Sequence, residues 1–132
     1  MMKTVITVIV VALTGCAAVP QQPTDLNRTQ AAVSFGEVLT PDMTGFSKHW
    51  SQGSKSAWFR TSTGDVLVTD STNPVAVRIS GFPPEYGRVI ATGWEGGQRF
   101  FIHLSNGADT GTMVYCDLMK KEVTEVKHWG AW

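Results

Sequence analysis

Histidine and cysteine are the side chains of this sequence with the most versatile chemistry, because histidine titrates near neutral pH and a thiolate is a strong nucleophile. The three histidines, His49, His103 and His128, each stand alone in their segments. The sequence has no H-E-x-x-H or C-x-x-C spacing for a metal ion and no G-x-S-x-G motif for a nucleophilic serine. It therefore predicts no metal site, no cofactor and no catalytic residue, and it favours a non-enzymatic function.

A small hydrolase is the alternative, because a catalytic set of hydroxyl, histidine and carboxylate can assemble from residues far apart in sequence. A cleft that brings a histidine within hydrogen-bond reach of a serine or a carboxylate would favour the hydrolase. A flat or convex aromatic patch without such a cleft would favour a binding protein.

Cys116 is one of two cysteines and lies in a segment, 112–118, that is typical of a β-strand. Strand alternation places it on one face with Val114 and Leu118, and the intervening residues are Met113, Tyr115 and Asp117. A free cysteine on an apolar face behaves as a small hydrophobic side chain. We therefore expect Cys116 to lie in the core.

The second cysteine, Cys16, follows a segment that is typical of a secretory leader. Lys3 gives a positive start, residues 5–13 are mostly apolar, and Thr14 and Gly15 are small. The nine-residue apolar run is about half of the ~20 residues that a membrane-spanning helix needs. A leader that is removed is therefore preferred to a permanent transmembrane anchor.

The exit sequence Leu13-Thr14-Gly15-Cys16 resembles the lipobox of bacterial lipoproteins at all of its positions. The resemblance covers only residues 1–16. It implies that diacylglycerol, which carries chains such as palmitate, is joined to the sulfur of Cys16. It also implies that signal peptidase II cleaves between Gly15 and Cys16, and that the new amino group is acylated. Several acyl chains give stable attachment to a membrane.

The residue after the cysteine bears on which membrane carries the lipid. In lipoproteins of enteric bacteria an Asp at this position favours retention in the inner membrane, and this chain has Ala17 there. If the host has two membranes, the resemblance implies the outer membrane, bordering the periplasm, rather than the inner one, and the leaflet is left open.

The charge balance argues against nucleic acid as a partner. The chain has 11 Lys and Arg against 11 Asp and Glu, and loss of Lys3 with the leader leaves 10 against 11. The longest basic stretch is the pair Lys120-Lys121. Nucleic-acid-binding domains usually carry a clustered basic surface, which this composition does not provide.

Two units are expected after the leader at 1–15. Residues 16–30 contain Pro20, Pro23 and many polar side chains, which predicts a lipidated N-terminus and a flexible tether. Residues 31–132 show short β-branched and aromatic runs between turn residues. This pattern predicts a single all-β domain, a small antiparallel sandwich or barrel. Residues 119–129 fit either a last strand or a helix.

The five tryptophans and one hairpin carry the functional hint. Residues 88–94 and 98–104 are predicted to pair, with Arg99, Phe101 and His103 facing outward. A three-residue loop would turn Ile90 and Trp94 inward, and a two-residue loop would turn them outward. In the second case Trp94 would join the outward residues in an aromatic and basic patch, which is suited to binding protein or glycan.

The sequence as a whole therefore predicts a lipoprotein of the bacterial cell envelope whose β-domain binds a protein or a glycan without catalysis. Exclusion, inhibition of another protein and assistance in assembly are roles that fit this layout. The binding residues are not identified by the sequence.

Overall fold

A computed structural model of the protein describes residues 21–96, 99–107 and 109–130. Within these ranges the chain forms one α-helix, one short 3₁₀ helix and nine strands. The helices are α1 (Gln21–Ala32) and η1 (Pro84–Tyr86). The strands are β1 (Ser34–Leu39), β2 (Ser47–Gln52), β3 (Lys55–Arg60), β4 (Asp65–Asp70), β5 (Asn73–Ser80), β6 (Arg88–Glu95), β7 (Arg99–Ser105), β8 (Thr110–Asp117) and β9 (Glu122–Gly130).

The strands form two antiparallel sheets, and the all-β prediction is confirmed. The first sheet has the order β1-β5-β4-β3-β2, and the second has the order β6-β7-β8-β9. The sheets do not close into a barrel, so the structure corresponds to the sandwich rather than the barrel. The C-terminal segment, for which strand and helix were both open, is the strand β9.

The core lies between the two sheets and receives alternate side chains from each. Val66, Ile79, Phe100, Ile102 and Val114 are essentially inaccessible to solvent. Strand alternation places such residues on one face of a sheet, and their apolar side chains gain from the removal of water. Cys116 is 3% exposed and belongs to this cluster, which confirms the core prediction.

The prediction of a flexible tether over residues 16–30 is wrong for its C-terminal part. Residues 16–20 lie outside the described residues, but α1 begins at Gln21 and packs along β9. Leu26 contacts the core, and Thr29 is fully buried. The helix has no broad apolar stripe; polar side chains hold it, as Gln30 Nε2 donates a 2.6 Å hydrogen bond to the carbonyl of Val123.

A histidine joins the two sheets where their edge strands β2 and β6 meet. Nδ1 of His49 lies 2.6 Å from the carbonyl oxygen of Thr92 and 3.2 Å from its amide nitrogen. The nearer atom is an acceptor, so the proton is assigned to Nδ1. The imidazole thus donates to a backbone carbonyl that an edge strand would otherwise leave unpaired.

On the outer face of the first sheet, away from the core, a buried carboxylate holds two arginines. The Asp65 side chain is 1% exposed and lies 3.0 Å from Arg60 and 2.9 Å from Arg78. Arg60 also donates to the carbonyl of Thr44 and stacks on Phe46 at 4.3 Å, which ties the β1–β2 loop to the sheet. Two guanidinium groups compensate the cost of burying one charge.

The β6–β7 hairpin settles the orientation that the sequence left open. Glu95 pairs with Arg99 and Trp94 with Phe100, so three residues separate the paired ends. Trp94 therefore shares the inner face with Phe100 and is 8% exposed. Ile90 is 45% exposed instead, because a β-bulge between Val89 and Ala91 interrupts the alternation.

Candidate functional site

The outer face of the second sheet carries an exposed cluster of aromatic rings. Phe101 and His103 project from β7, as predicted, and Trp50 of β2 and Trp129 of β9 lie beside them. We call these four residues the aromatic face. Trp94 is absent from it, because its side chain is in the core.

Trp50 reaches the aromatic face from the other sheet by crossing over a glycine. Its ring atoms lie 2.8–3.0 Å from the place where a Cβ would stand on Gly93. The ring meets Phe101 edge-on, with the centroids 6.3 Å apart. Because only a glycine leaves this space, Gly93 fixes where the indole lies. The Trp50 side chain remains 43% exposed.

Trp129 lies over a second glycine at the other end of the face. A Cβ on Gly111 would stand 2.2 Å from the ring. The indole Nε1 donates a 3.0 Å hydrogen bond to Nε2 of His103, and the two rings are 5.7 Å apart in an edge-on arrangement. Trp129 is 41% exposed. The indole is thus held in place while one part of it stays open to solvent.

The His103 imidazole is uncharged in this arrangement. An Nε2 atom that accepts a hydrogen bond cannot carry a proton, so the proton of the neutral ring is on Nδ1. Burial lowers the pKa of His103 below its usual value, which acts in the same direction. The aromatic face therefore has no charge of its own at neutral pH.

Charged side chains border the aromatic face, and they pair with one another. Arg99 contacts Glu95 at 3.4 Å, forms an ion pair with Glu125, and lies over the ring of Tyr115 at 3.7 Å. Lys127 lies 3.7 Å from Glu125. The basic component of the predicted patch is thus balanced by two carboxylates.

Trp50 and Trp129 are the residues that sequence reasoning missed. The signal for Trp129 was present, since alternation along β9 places it on the outer face with Lys127 and Glu125. The signal for Trp50 was weak, because all but one residue of β2 is exposed and the strand has no apolar alternation. Its position depends on the contact between the two sheets.

A second constellation joins a carboxylate, a histidine and a hydroxyl. Nε2 of His128 lies 2.9 Å from Oδ2 of Asp25, and Nδ1 lies 2.9 Å from Oγ1 of Thr112. This is the order of groups in a hydrolytic triad. The Thr112 side chain, however, is fully buried, so its oxygen has no access to a substrate. The contacts fasten α1 to β9.

The Cys116 thiol is unreactive because it is buried. Burial raises the pKa of its thiol to about 12, so almost none of it is thiolate at neutral pH. Cysteine reactivity depends on the thiolate. Cys116 is thus a core residue and not a nucleophile.

The predicted lipid-attachment and cleavage residues, Gly15 and Cys16, lie outside the described residues. Within the described part of the chain, no three residues of His, Cys, Asp or Glu are grouped to hold a metal ion. None of the helices described there is long and apolar enough to cross a membrane.

The comparisons with known proteins identify no relative. No family model matches the chain, and no curated protein and no solved structure matches it either.

Proposed function

We propose that this protein is a lipid-anchored component of the bacterial envelope whose β-domain binds a protein or glycan partner and performs no reaction. The leader at 1–15 and the lipobox ending at Cys16 support the anchor. The signal peptide would be removed, and Cys16 would carry diacylglycerol and an N-acyl chain. Ala17 supports the outer membrane in a host with two membranes.

The aromatic face carries the binding part of the proposal. Two tryptophans that are each about two-fifths exposed lie on one surface, and each is held over a glycine. Tryptophan is enriched among the residues that dominate binding energies. Exposed indoles cost solvation free energy in the free protein, and this cost is recovered when a partner covers them.

The docking of α1 brings the domain close to the membrane. With lipid on Cys16, only four residues separate it from Gln21, and the five steps between the two Cα atoms span at most about 17 Å. The N-terminal part of α1 lies beside the end of β9, as the contact between Asp25 and His128 shows. The Trp129 end of the aromatic face would then be nearer the membrane than the β6–β7 turn.

The anchor is tested by Cys16→Ser. We expect the wild-type chain to fractionate with membranes and to carry the mass of its acyl chains. The variant should accumulate as the uncleaved precursor or as a soluble product without that mass. Unchanged mass and fractionation of the variant would refute lipid attachment.

The binding surface is tested with envelope fragments from the native host. The amount of protein retained on these fragments should be roughly tenfold or more lower for the double variant Trp50→Ala/Trp129→Ala than for wild type. Trp58→Ala is the matched control, because Trp58 lies on the outer side of the other sheet, opposite Leu67. Equal retention of all three proteins would show that the aromatic face does not bind the partner.

The hydrolase alternative rests on Asp25, His128 and Thr112. Thr112→Val keeps the shape of the side chain and removes the hydroxyl. If the constellation is structural, the variant changes stability only, and wild-type protein turns over neither esters nor cell-wall fragments. Turnover by wild type that disappears in Thr112→Val would favour the hydrolase and overturn the non-catalytic proposal.

A further inference from the structure

The aromatic face presents two indoles that are fixed before any ligand arrives. Gly93 and Gly111 leave the space in which the rings lie, Phe101 contacts Trp50, and His103 accepts a hydrogen bond from Trp129. Side chains that are already ordered lose little conformational entropy on binding. The arrangement thus favours a ligand that stacks on rings in their existing positions.

The sheet geometry separates the two indoles by more than the size of one small ligand. Gly93 on β6 pairs with Phe101 on β7, and Phe101 pairs with Tyr115 on β8. Tyr115 is four residues from Gly111 along β8. Two strand spacings are about 10 Å, and four residues along a strand are about 13 Å. Gly93 and Gly111, over which the two indoles lie, are therefore roughly 16 Å apart diagonally across the sheet. A ligand that contacts both indoles must be an extended chain.

The charges of this surface indicate an uncharged ligand. Arg99 and Lys127 are paired with Glu95 and Glu125 along the border. His103 is neutral because its Nε2 accepts the bond from Trp129. Along this border an anionic chain would have to break these pairs to find a cation, and a cationic chain would have to break them to find a carboxylate.

Cavities among the described residues open at other places on the domain. Four of them are lined by side chains such as Trp58, Phe35, Trp94 and Phe46, and none of these four is lined by a residue of the aromatic face. Protein partners usually insert anchor side chains into well-packed pockets that exclude water. Sugar rings need no pocket, because their C–H groups pack against the electron-rich face of an indole while their hydroxyls stay hydrated.

We propose that the aromatic face binds an uncharged oligosaccharide chain, with sugar rings stacked on Trp50 and Trp129. This inference rests on the proposed binding function and names the class of partner. Phe101 supports the first indole, and His103 holds the second.

The test uses the full-length chain in detergent and measures its affinity for immobilised glycans. The probes are chitotetraose, cellotetraose, maltotetraose and neutral envelope polysaccharide from the host, with tetragalacturonic acid as the anionic counterpart. We expect at least one neutral probe to bind. Trp50→Ala and Trp129→Ala should each weaken that binding roughly tenfold, and Trp58→Ala should leave it within about twofold.

Ionic strength provides a second readout. Affinity for an uncharged chain should change less than about twofold when salt is raised from about 0.05 to 0.5 M, whereas binding to an anionic chain would weaken strongly. Binding to tetragalacturonic acid alone, or to glycan-free lipid vesicles alone, would overturn the inference.

The outcomes separate this inference from the proposed function. Suppose that no neutral probe binds, but the two tryptophan variants are still retained less on envelope fragments. The proposal of an uncharged oligosaccharide is then wrong, and the proposal that the aromatic face binds the partner is retained. If no probe binds and retention is also unchanged, both are wrong. Thermal unfolding of each variant shows whether a loss reflects misfolding.

Discussion

The indole of Trp129 occupies the space directly above Gly111 on the neighbouring strand, where a Cβ would stand 2.2 Å from the ring. This pairing of a large exposed side chain with an absent one explains how a tryptophan can lie on the outside of the sheet without swinging freely. Gly93 and Trp50 repeat the arrangement two strands away. The positions of the two exposed indoles therefore depend on these glycines as well as on the tryptophans themselves.

Gly111→Ala should disturb Trp129 without removing it. The added methyl group overlaps the ring, so the indole must move and lose its hydrogen bond to His103. We expect a loss of about 1–3 kcal/mol in the free energy of unfolding, measured with urea. Gly36→Ala on β1 is the control, because nothing lies within 4 Å of its new methyl group. Equal losses of stability for the two substitutions would show that Gly111 is not needed to make room for the Trp129 indole.

Acidification should release the same indole. Burial lowers the pKa of His103, so its neutral form is favoured in the folded protein. The stabilisation is complete above about pH 6.5, the usual histidine pKa, and is lost as pH falls through the lower folded value. A protonated ring cannot accept the bond from Trp129. Tryptophan fluorescence should therefore change as the pH falls below about 6.5, the usual histidine pKa.

His103→Phe provides the control for this titration. The variant keeps a ring at the position but has no titrating group there, so the fluorescence step should vanish. If the step persists with the same midpoint, another group is responsible.

Asp65→Asn should destabilise the first sheet. Burial by itself raises the pKa of Asp65, but hydrogen bonds from Thr63 and Arg60, with the charges of Arg60 and Arg78, outweigh it and hold the pKa below its usual value. Removing the carboxylate charge leaves two arginines without their counter-ion. We expect a loss of about 2–3 kcal/mol at neutral pH.

The pH dependence identifies the cause of that loss. A carboxyl group with a lowered pKa contributes fully above about pH 4, and its contribution disappears as pH falls through the folded value. The gap between wild type and Asp65→Asn should therefore narrow in acid. Asp109→Asn, at an exposed position, should cost less than about 0.5 kcal/mol. A gap that stays constant down to pH 2 would argue against the ion pairs.

Tyr86→Phe should loosen α1. The Thr29 hydroxyl donates to the carbonyl of Asp25, so it accepts the 2.8 Å hydrogen bond from the Tyr86 hydroxyl. Both residues are fully buried. Removing the donor should cost about 1–2 kcal/mol and speed amide hydrogen exchange over residues 25–32.

Tyr115→Phe is the matched control for the helix. The Tyr115 hydroxyl makes only a longer contact, 3.3 Å, with Glu95 at the border of the aromatic face. It should leave exchange over residues 25–32 unchanged. If Tyr86→Phe does the same, α1 is not held by this contact.

Much of the second sheet was predictable because its signals are local. Alternation alone placed Cys116 in the core and turned Phe101 and His103 outward. The inward position of Trp94 followed from a loop length that sequence narrowed to two values. Ile90 broke the same rule, because a bulge adds one residue to a strand and leaves no distinctive composition behind.

The elements that sequence missed depend on distant contacts. The helix α1 has few apolar side chains, and it is stable because His128, Tyr86 and Val123 supply hydrogen-bond partners about 60 to 100 residues away. The strand β2 is polar and exposed; it pairs with β3, and the contact of His49 with Thr92 joins it to the second sheet. When these partners are unknown, the sequence shows only the β6–β7 hairpin of the aromatic face.

The most direct test of the central claim is photocrosslinking from two surface positions in native cells. A benzophenone side chain replaces Lys127, beside the aromatic face, or Leu39, which is 65% exposed on β1 of the other sheet. The proposal predicts covalent adducts with an envelope component from position 127, their loss in Trp50→Ala/Trp129→Ala, and none from position 39. Adducts from position 39 alone, or adducts from position 127 that survive loss of both tryptophans, would contradict it.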